Sequence, residues 1–177
     1  MDLKSKISSH EDFPKKGILF RDFNPILKDP SALSFVVDEF YKKFHPNDVD
    51  VFVGIESRGF ILASALALKY GKGMVLLRKA GKLPGKTSKI SYTIEYGKAE
   101  MEIQKTALEK NERVLICDDL LATGGTAKAA AKLVEKLNAN VVGFAFIIQL
   151  TELNGIEKIK EYRTEALVQY YWMKLLR

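Results

Sequence analysis

The chain has 177 residues, of which 47% are hydrophobic and 28% charged, and its formal net charge is +6. This length and balance predict one globular domain with a sizeable core and argue against a disordered chain. No apolar run reaches the roughly 18 residues of a membrane-spanning helix, and because the N-terminus lacks the apolar core of a signal peptide we expect no secretion. The single cysteine, Cys117, excludes an intramolecular disulfide and favours a reducing, cytoplasmic setting.

The N-terminal half is predicted to alternate between helices and strands. Residues 1–28 indicate a short helix and a loop, with a short strand at GILF (17–20). Asp29 and Pro30 then supply an N-cap and a first helical residue, so an amphipathic helix should begin there. A strand, a helix ended by a glycine, and a second strand follow over residues 48–55, 58–70 and 73–77.

The C-terminal half continues this alternation after one long interruption. Residues 79–98 hold four glycines or prolines and many polar groups. They predict a long loop, or a short ribbon that pairs residues 91–95 with 99–103. A strand, a helix and two strands follow over residues 113–117, 126–137, 140–149 and 167–170. Strands that alternate with helices predict an α/β fold in which helices cover a parallel sheet.

The stretch VLICDDLLATGGT (114–126) carries the clearest chemical signal. Its strand should deliver Asp118 and Asp119 to the carboxyl edge of the sheet, where ligands of parallel sheets bind. The turn that follows consists of Ala122, Thr123, Gly124, Gly125 and Thr126. Because this turn leads into a helix, its N–H groups and the helix dipole can hold a phosphate. Phosphate donors beside hydroxyl acceptors suit a sugar phosphate, and the alternative is an acidic turn before a Gly-rich helix entry.

The same stretch resembles the 5-phosphoribosyl-1-pyrophosphate (PRPP) motif of the type I phosphoribosyltransferases. Four further segments are similar to the adenine-specific branch of that family, namely FPKKGILFRDFNPIL (13–27), GIESRGF (54–60), RKAGKLPG (78–85) and EYGKAEMEIQK (95–105). The resemblance implies transfer of the phosphoribosyl group of PRPP to adenine, forming AMP and pyrophosphate in purine salvage. It also implies a parallel sheet flanked by helices, with a small N-terminal hood (residues 1–28), a core (residues 29–177) and a flexible catalytic loop.

The resemblance further implies which residues hold PRPP. Residues 122–126 would cradle the 5-phosphate, and Asp118 and Asp119 would bind the ribose hydroxyls, directly or through Mg²⁺. The pyrophosphate would be held by Ser57, Arg58, Arg78, Lys79, Lys82 and Tyr96, because arginine in particular offers a planar fork to phosphate oxygens. In the family the peptide bond before the serine tends to be cis. The alternatives are a surface ion pair for Arg58 and a solvated basic loop for residues 78–82.

The adenine side of the site is implied by two segments. Glu95 would be the catalytic carboxylate near the reacting base nitrogen, on a loop that closes over the substrate and excludes water. Phe20 would stack on the purine, while main-chain groups of Leu19 and Arg21 would read its amino group and ring nitrogens. A 6-oxo purine would leave those groups unpaired and be rejected. An exposed strand residue and a core aromatic are the alternatives for Glu95 and Phe20.

Mg²⁺ is the cofactor that the resemblance implies, and PRPP itself should hold it because Mg²⁺ keeps several waters and prefers oxygen ligands. A homodimer is expected, since in this family a lysine at the position of Lys82 can contribute to the pyrophosphate site of the neighbouring subunit. We expect neither nucleic acid nor a membrane as a partner. The C-terminal YYWMKLLR (170–177) would be a docked strand, a dimer contact or an extension. Two alternatives remain. One is an enzyme for another base, and the other is a PRPP-sensing regulator, for whose DNA-binding module 177 residues leave no room.

Overall fold

The computed structural model describes residues 1–94 and 97–171. Within these residues the strands are β1 (Ser8–Glu11), β2 (Leu19–Asp22), β3 (Val51–Ile55), β4 (Gly73–Lys79), β5 (Thr87–Ile94), β6 (Gly97–Gln104), β7 (Arg113–Leu121), β8 (Asn140–Leu150) and β9 (Thr164–Tyr170). The α-helices in the same residues are α1 (Asn24–Lys28), α2 (Pro30–Lys43), α3 (Gly59–Tyr70) and α4 (Gly125–Lys136). None of these helices is long and apolar enough to cross a bilayer.

A central sheet organises the described residues, with seven strands in the order β5-β6-β4-β3-β7-β8-β9. The five strands from β4 to β9 in this order run parallel, while β5 and β6 add an antiparallel ribbon at one edge. All five residues of β3 are buried, because one core cluster packs on each face of the sheet. The fold is therefore the predicted α/β architecture with a parallel sheet covered by helices.

Several predicted boundaries are confirmed because strong local signals define them. The Asp29 carboxylate caps α2 by accepting hydrogen bonds from the backbone N–H groups of Ser31 and Ala32, at 2.9 and 3.3 Å. Helix α3 ends at Gly71, which has φ of +63° and closes the helix in the left-handed conformation. Cys117 is buried in the core, as expected of a small apolar side chain, and burial raises the pKa of its thiol.

Three sequence predictions need correction. Residues 79–98 are not a long loop; the ribbon that was the alternative is present but longer than predicted, since β5 and β6 pair from Thr87 with Gln104 to Ile94 with Gly97. Polar residues on the exposed face of this ribbon conceal the alternation that turns Ile90 and Tyr92 toward the core. Strand β7 continues to Leu121, so the acidic pair lies inside the strand and not after it. At the start of the chain the short strand predicted at GILF (17–20) is confirmed in part, because β2 begins at Leu19, but it pairs with β1 in an antiparallel hairpin followed by α1, where a loop was expected.

Candidate active site

A cleft of about 270 Å³ opens at the carboxyl edge of β3, β4 and β7. Parallel strands bring their ends together here, which is where this class of sheet binds ligands. Most of the side chains predicted for PRPP line it, namely Ser57, Arg58, Arg78, Lys79, Asp118, Asp119, Ala122, Thr123, Gly124 and Thr126. Gly125, Lys82 and the three hood residues Leu19, Phe20 and Arg21 are not among its lining residues.

The acidic pair forms the buried floor of the cleft. Asp119 is only 4% exposed, and its Oδ2 lies 3.0 Å from Nε of Arg58 but makes no hydrogen bond. Burial and the neighbouring Asp119 carboxylate raise the pKa of Asp118 well above its ordinary value, while Arg58 opposes the shift. Asp118 Oδ1 accepts a hydrogen bond from the Asp119 backbone N–H at 2.9 Å. A buried carboxylate oxygen without a hydrogen-bond partner, beside this group, fits hydroxyl donors or a divalent cation.

Arg58 agrees with the ion-pair alternative of the sequence analysis and also lines the cleft. It forms an ion pair, as the structural alternative expected, but its partner is Asp119 and the pair faces the cleft. The peptide bond between Glu56 and Ser57, which precedes Arg58, is cis, as the family pattern implied. Arg58 is 40% exposed, so its guanidinium remains accessible to an anion that enters the cleft.

Arg78 is held by a carboxylate that the sequence prediction missed. Glu56 accepts hydrogen bonds from Nη2 of Arg78 at 3.0 Å and from the backbone N–H of Lys79 at 2.7 Å. The Arg78 guanidinium lowers the pKa of Glu56, and the Lys79 N–H adds to this effect against the opposing effect of burial. Nε of Arg78 is buried and has no hydrogen-bond partner. This unsatisfied donor at the cleft suits an anionic oxygen.

The Gly-rich turn brings backbone donors to the opposite wall. Gly124 has φ of +78° and precedes α4 without a side-chain cap, so the first N–H groups of the helix have no capping side chain. A side chain on Gly125 would lie 2.7 Å from the Thr93 carbonyl oxygen, because β5 crosses directly over the turn. Tyr92 of β5 also lines the cleft; burial raises the pKa of its hydroxyl, while the neighbouring Thr126 opposes the shift. The two glycines therefore permit a close backbone packing that presents N–H donors to an anion.

Lys82 lies on an exposed turn that a second missed carboxylate fixes. Glu102 of β6 is 1% exposed, and its Oε1 accepts hydrogen bonds from the backbone N–H groups of Lys82 and Leu83 at 2.9 and 3.0 Å. The backbone hydrogen bond from Leu83 is the main cause that lowers the pKa of Glu102. The Thr87 hydroxyl donates to the second carboxylate oxygen at 2.9 Å. The turn is therefore rigid, although Lys82 does not line the cleft of its own chain.

The hood residues lie on β2, beside the cleft. The Phe20 ring is half-buried and lies 5.2 Å from Cζ of Arg58, with an edge contact to Phe13 at 5.2 Å between ring centroids. Phe20 is therefore not a core aromatic. Arg21 places its Cζ 3.9 Å from the ring centroid of Tyr170, which anchors β2 to the end of β9. The hood thus lies against the Arg58 side of the cleft.

The predicted catalytic residues Glu95 and Tyr96 lie outside the described residues, as do positions 172–177 of the C-terminal segment. Of that segment, Tyr170 ends β9 and accepts a hydrogen bond from the Thr151 hydroxyl at its carbonyl oxygen, at 2.9 Å. Among residues 1–94 and 97–171 no three His, Cys, Asp or Glu side chains form a metal-binding group.

Comparison with known proteins identifies the family of the chain. The family model described as the phosphoribosyl transferase domain matches residues 27–169. The adenine phosphoribosyltransferase of Nitrosopumilus maritimus is 66% identical over 170 residues, which cover 96% of this chain and all (100%) of that protein.

Solved structures are similar over the same extent. A crystal structure of adenine phosphoribosyltransferase from Thermoanaerobacter pseudethanolicus has a TM-score of 0.92 and 41% identity, covering 96% of this chain and 98% of that one. The Giardia lamblia enzyme, complexed with 9-deazaadenine, has a TM-score of 0.91 and 38% identity, covering 97% of each chain. Both the family match and the geometry of the acidic pair and Gly-rich turn lead to one conclusion, that this chain belongs to the adenine phosphoribosyltransferases of the phosphoribosyl transferase family.

Proposed function

We propose that the cleft binds PRPP and transfers its phosphoribosyl group to N9 of adenine, so that AMP and pyrophosphate form. The observation that carries this assignment is that two carboxylates, two arginines and an uncapped helix N-terminus converge on one space. A ligand that contacts the carboxylates, the arginines and the helix N-terminus together must carry hydroxyl donors between two anionic ends. PRPP has this pattern, with its ribose hydroxyls between a 5-phosphate and a pyrophosphate.

The sugar phosphate is bound by the wall formed by residues 122–126. Backbone N–H groups of this turn and the positive end of the α4 dipole hold the 5-phosphate. The Thr123 and Thr126 hydroxyls add donors, and Asp118 and Asp119 accept hydrogen bonds from the ribose hydroxyls. These contacts fix C1 of the ribose relative to the incoming base, which lowers the entropic part of the barrier.

The pyrophosphate is bound by the opposite wall. As the bond from C1 to the pyrophosphate oxygen breaks, negative charge develops on the leaving group while the sugar becomes oxocarbenium-like. Arg58, Arg78 and Ser57 are placed to stabilise this charge, and Lys79 adds a cation. Glu56 fixes the orientation of Arg78 in advance, so little reorganisation is needed during the reaction.

The base is bound between the hood and the ribbon. Phe20 stacks on adenine, and the main chain at Leu19 and Arg21 pairs with its amino group and ring nitrogens. Glu95 accepts the proton that leaves the base as the bond between N9 and C1 forms, and Tyr96 contacts the pyrophosphate. The approach of Phe20 to Arg58 supports this arrangement, because it brings the hood next to the pyrophosphate wall.

Mg²⁺ fits this site, since the buried Oδ2 of Asp119 has no hydrogen-bond partner and hard cations prefer carboxylate and phosphate oxygens. Asp118 and Asp119 would hold the ion together with PRPP. When bound, the ion neutralises part of the pyrophosphate charge. The proposal includes a homodimer, because Lys82 is exposed on a rigid turn outside its own cleft and can bind the pyrophosphate of a partner subunit. A cytoplasmic location is supported by the single cysteine alone.

A spectrophotometric assay tests this function. The chain is incubated with PRPP, Mg²⁺ and, in turn, adenine, guanine, hypoxanthine or orotate. We expect turnover with adenine and none with the 6-oxo bases, whose acceptor would face another acceptor in the hood. A folded sample that does not turn over adenine, or that prefers another base, contradicts the proposal.

A further inference from the structure

Gly155 packs directly against the Gly-rich turn of residues 122–126, which we call the phosphate turn, and is not among the residues that line the cleft. It begins a short 3-10 helix (Gly155–Ile159) after β8 and is buried. A Cβ atom on Gly155 would overlap the Ala122 carbonyl oxygen and lie 2.8 Å from the Gly124 nitrogen. In the reverse direction, a Cβ atom on Gly124 would overlap the Gly155 carbonyl oxygen. The two segments therefore touch backbone to backbone.

This contact is rigid because no side chain lies between its two members. Ile159, at the other end of the 3-10 helix, is completely buried in the core cluster on the α4 face. Asn154 has φ of +53° and turns the chain back toward the phosphate turn just before Gly155. The core therefore fixes the position of Gly155, and Gly155 limits the positions that the backbone of the phosphate turn can take.

We propose that Gly155 is a positioning residue for phosphate binding, which sets where the backbone donors of residues 122–124 point. This inference rests on the proposed role of residues 122–126 in binding the 5-phosphate. A side chain at position 155 pushes the Ala122 carbonyl toward the cleft and misaligns those donors. Ligands with a 5-phosphate therefore lose affinity, whereas pyrophosphate, which binds at the Arg58 and Arg78 wall, does not.

Two other glycines provide matched controls. Gly143 of β8 is also crowded, though less severely, since a Cβ atom there would lie 2.7 Å from the Arg163 carbonyl oxygen and 2.8 Å from Cε1 of Phe44. It lies near the start of β8, at the opposite end of the strand from the cleft. Gly73 has open space, with no atom within 4 Å of a Cβ. Gly143→Ala thus imposes a steric cost away from the site, and Gly73→Ala is a neutral substitution.

The test measures dissociation constants of AMP and of pyrophosphate by calorimetry, together with the melting temperature of each variant. For Gly155→Ala we expect AMP to bind about 10- to 100-fold more weakly, the range expected for the loss of one hydrogen bond to a charged group, and pyrophosphate to bind as before. Gly143→Ala should lower the melting temperature and leave AMP affinity unchanged. Unchanged AMP affinity in a folded Gly155→Ala, or equal losses for AMP and pyrophosphate, overturns the proposal.

A further variant separates this inference from the proposed function. Thr126→Val removes a donor of the turn itself, so a loss of AMP affinity there with none in Gly155→Ala refutes only the positioning role. Unchanged AMP affinity in both variants refutes the phosphate turn as well. If Gly155→Ala does not fold, Ile159→Val replaces it, because it loosens the buried anchor of Gly155 without a clash. That variant should weaken AMP but not pyrophosphate, and unchanged AMP affinity counts against the inference.

Discussion

The contact between Glu56 and Arg78 makes the most specific prediction about the pyrophosphate wall. Glu56→Gln keeps the size of the side chain but removes its charge and turns an N–H₂ group toward one of two donors, Arg78 Nη2 or the Lys79 N–H. Arg78 then loses its fixed orientation, while the phosphate turn on the opposite wall is untouched. Pyrophosphate and PRPP affinity should fall, and AMP affinity should not.

The magnitude follows from the environment of the pair. A hydrogen bond to a charged group contributes about 1.5–3 kcal/mol. Because the Glu56 and Arg78 side chains are 16% and 29% exposed, solvent screens the pair and the lower end of that range applies. At about 1.4 kcal/mol for each factor of ten, pyrophosphate should bind about 10-fold more weakly.

Calorimetric titration with pyrophosphate and with AMP measures this difference. Glu165→Gln is the matched control, because Glu165 is also ion-paired with a cation, at 3.0 Å from Nζ of Lys43, but lies at the start of β9 and does not line the cleft. The control should retain wild-type pyrophosphate affinity. Equal pyrophosphate affinity in wild type and Glu56→Gln, or an equal loss in both variants, refutes the reasoning.

Three further predictions concern other parts of the site. Asp118→Asn should increase the free energy of unfolding at pH 7, because burial raises the pKa of Asp118 and the charged form destabilises the folded state above its ordinary pKa of 3.8. Urea denaturation checks this, and the gain should vanish below pH 3.8; a loss of stability at pH 7 contradicts it. Glu102→Gln should loosen the turn at Lys82 and raise KM for PRPP. In steady-state kinetics, the double variant with Lys82→Met should raise KM no further than Lys82→Met alone. Phe20→Leu should raise KM for adenine and leave that for PRPP unchanged; equal changes in both would argue against base stacking.

Local signals account for the parts of the structure that the sequence predicts well. Asp29 and Pro30 define the start of α2, and continuous apolar runs define strands that are buried on both faces. The acidic pair and the Gly-rich turn are adjacent in the sequence, so a shared sugar-phosphate site can be predicted from them without a fold. The strand boundary at Cys117 is wrong because the two aspartates interrupt the apolar run although β7 continues through them.

Contacts between distant segments account for what the sequence does not predict. Glu56 meets Arg78 only because β3 and β4 pair in parallel, and Glu102 reaches the Lys82 turn only because β6 pairs with the end of β4. Gly155 carries no chemical group, so its contact with the phosphate turn is evident only from the packing of two backbones. The ribbon, one of two alternatives predicted for residues 79–98, is longer than expected because polar residues on its exposed face obscure the alternation of its strands.

The central claim is that this cleft converts adenine and PRPP to AMP and pyrophosphate. Its most direct test is to quantify all four compounds by chromatography over time, for the wild type and for Arg78→Met as a variant of the pyrophosphate wall. The account predicts equal amounts of AMP and pyrophosphate from the wild type and a much slower reaction from Arg78→Met. Pyrophosphate released without AMP, or a folded wild-type sample that forms neither, would contradict it.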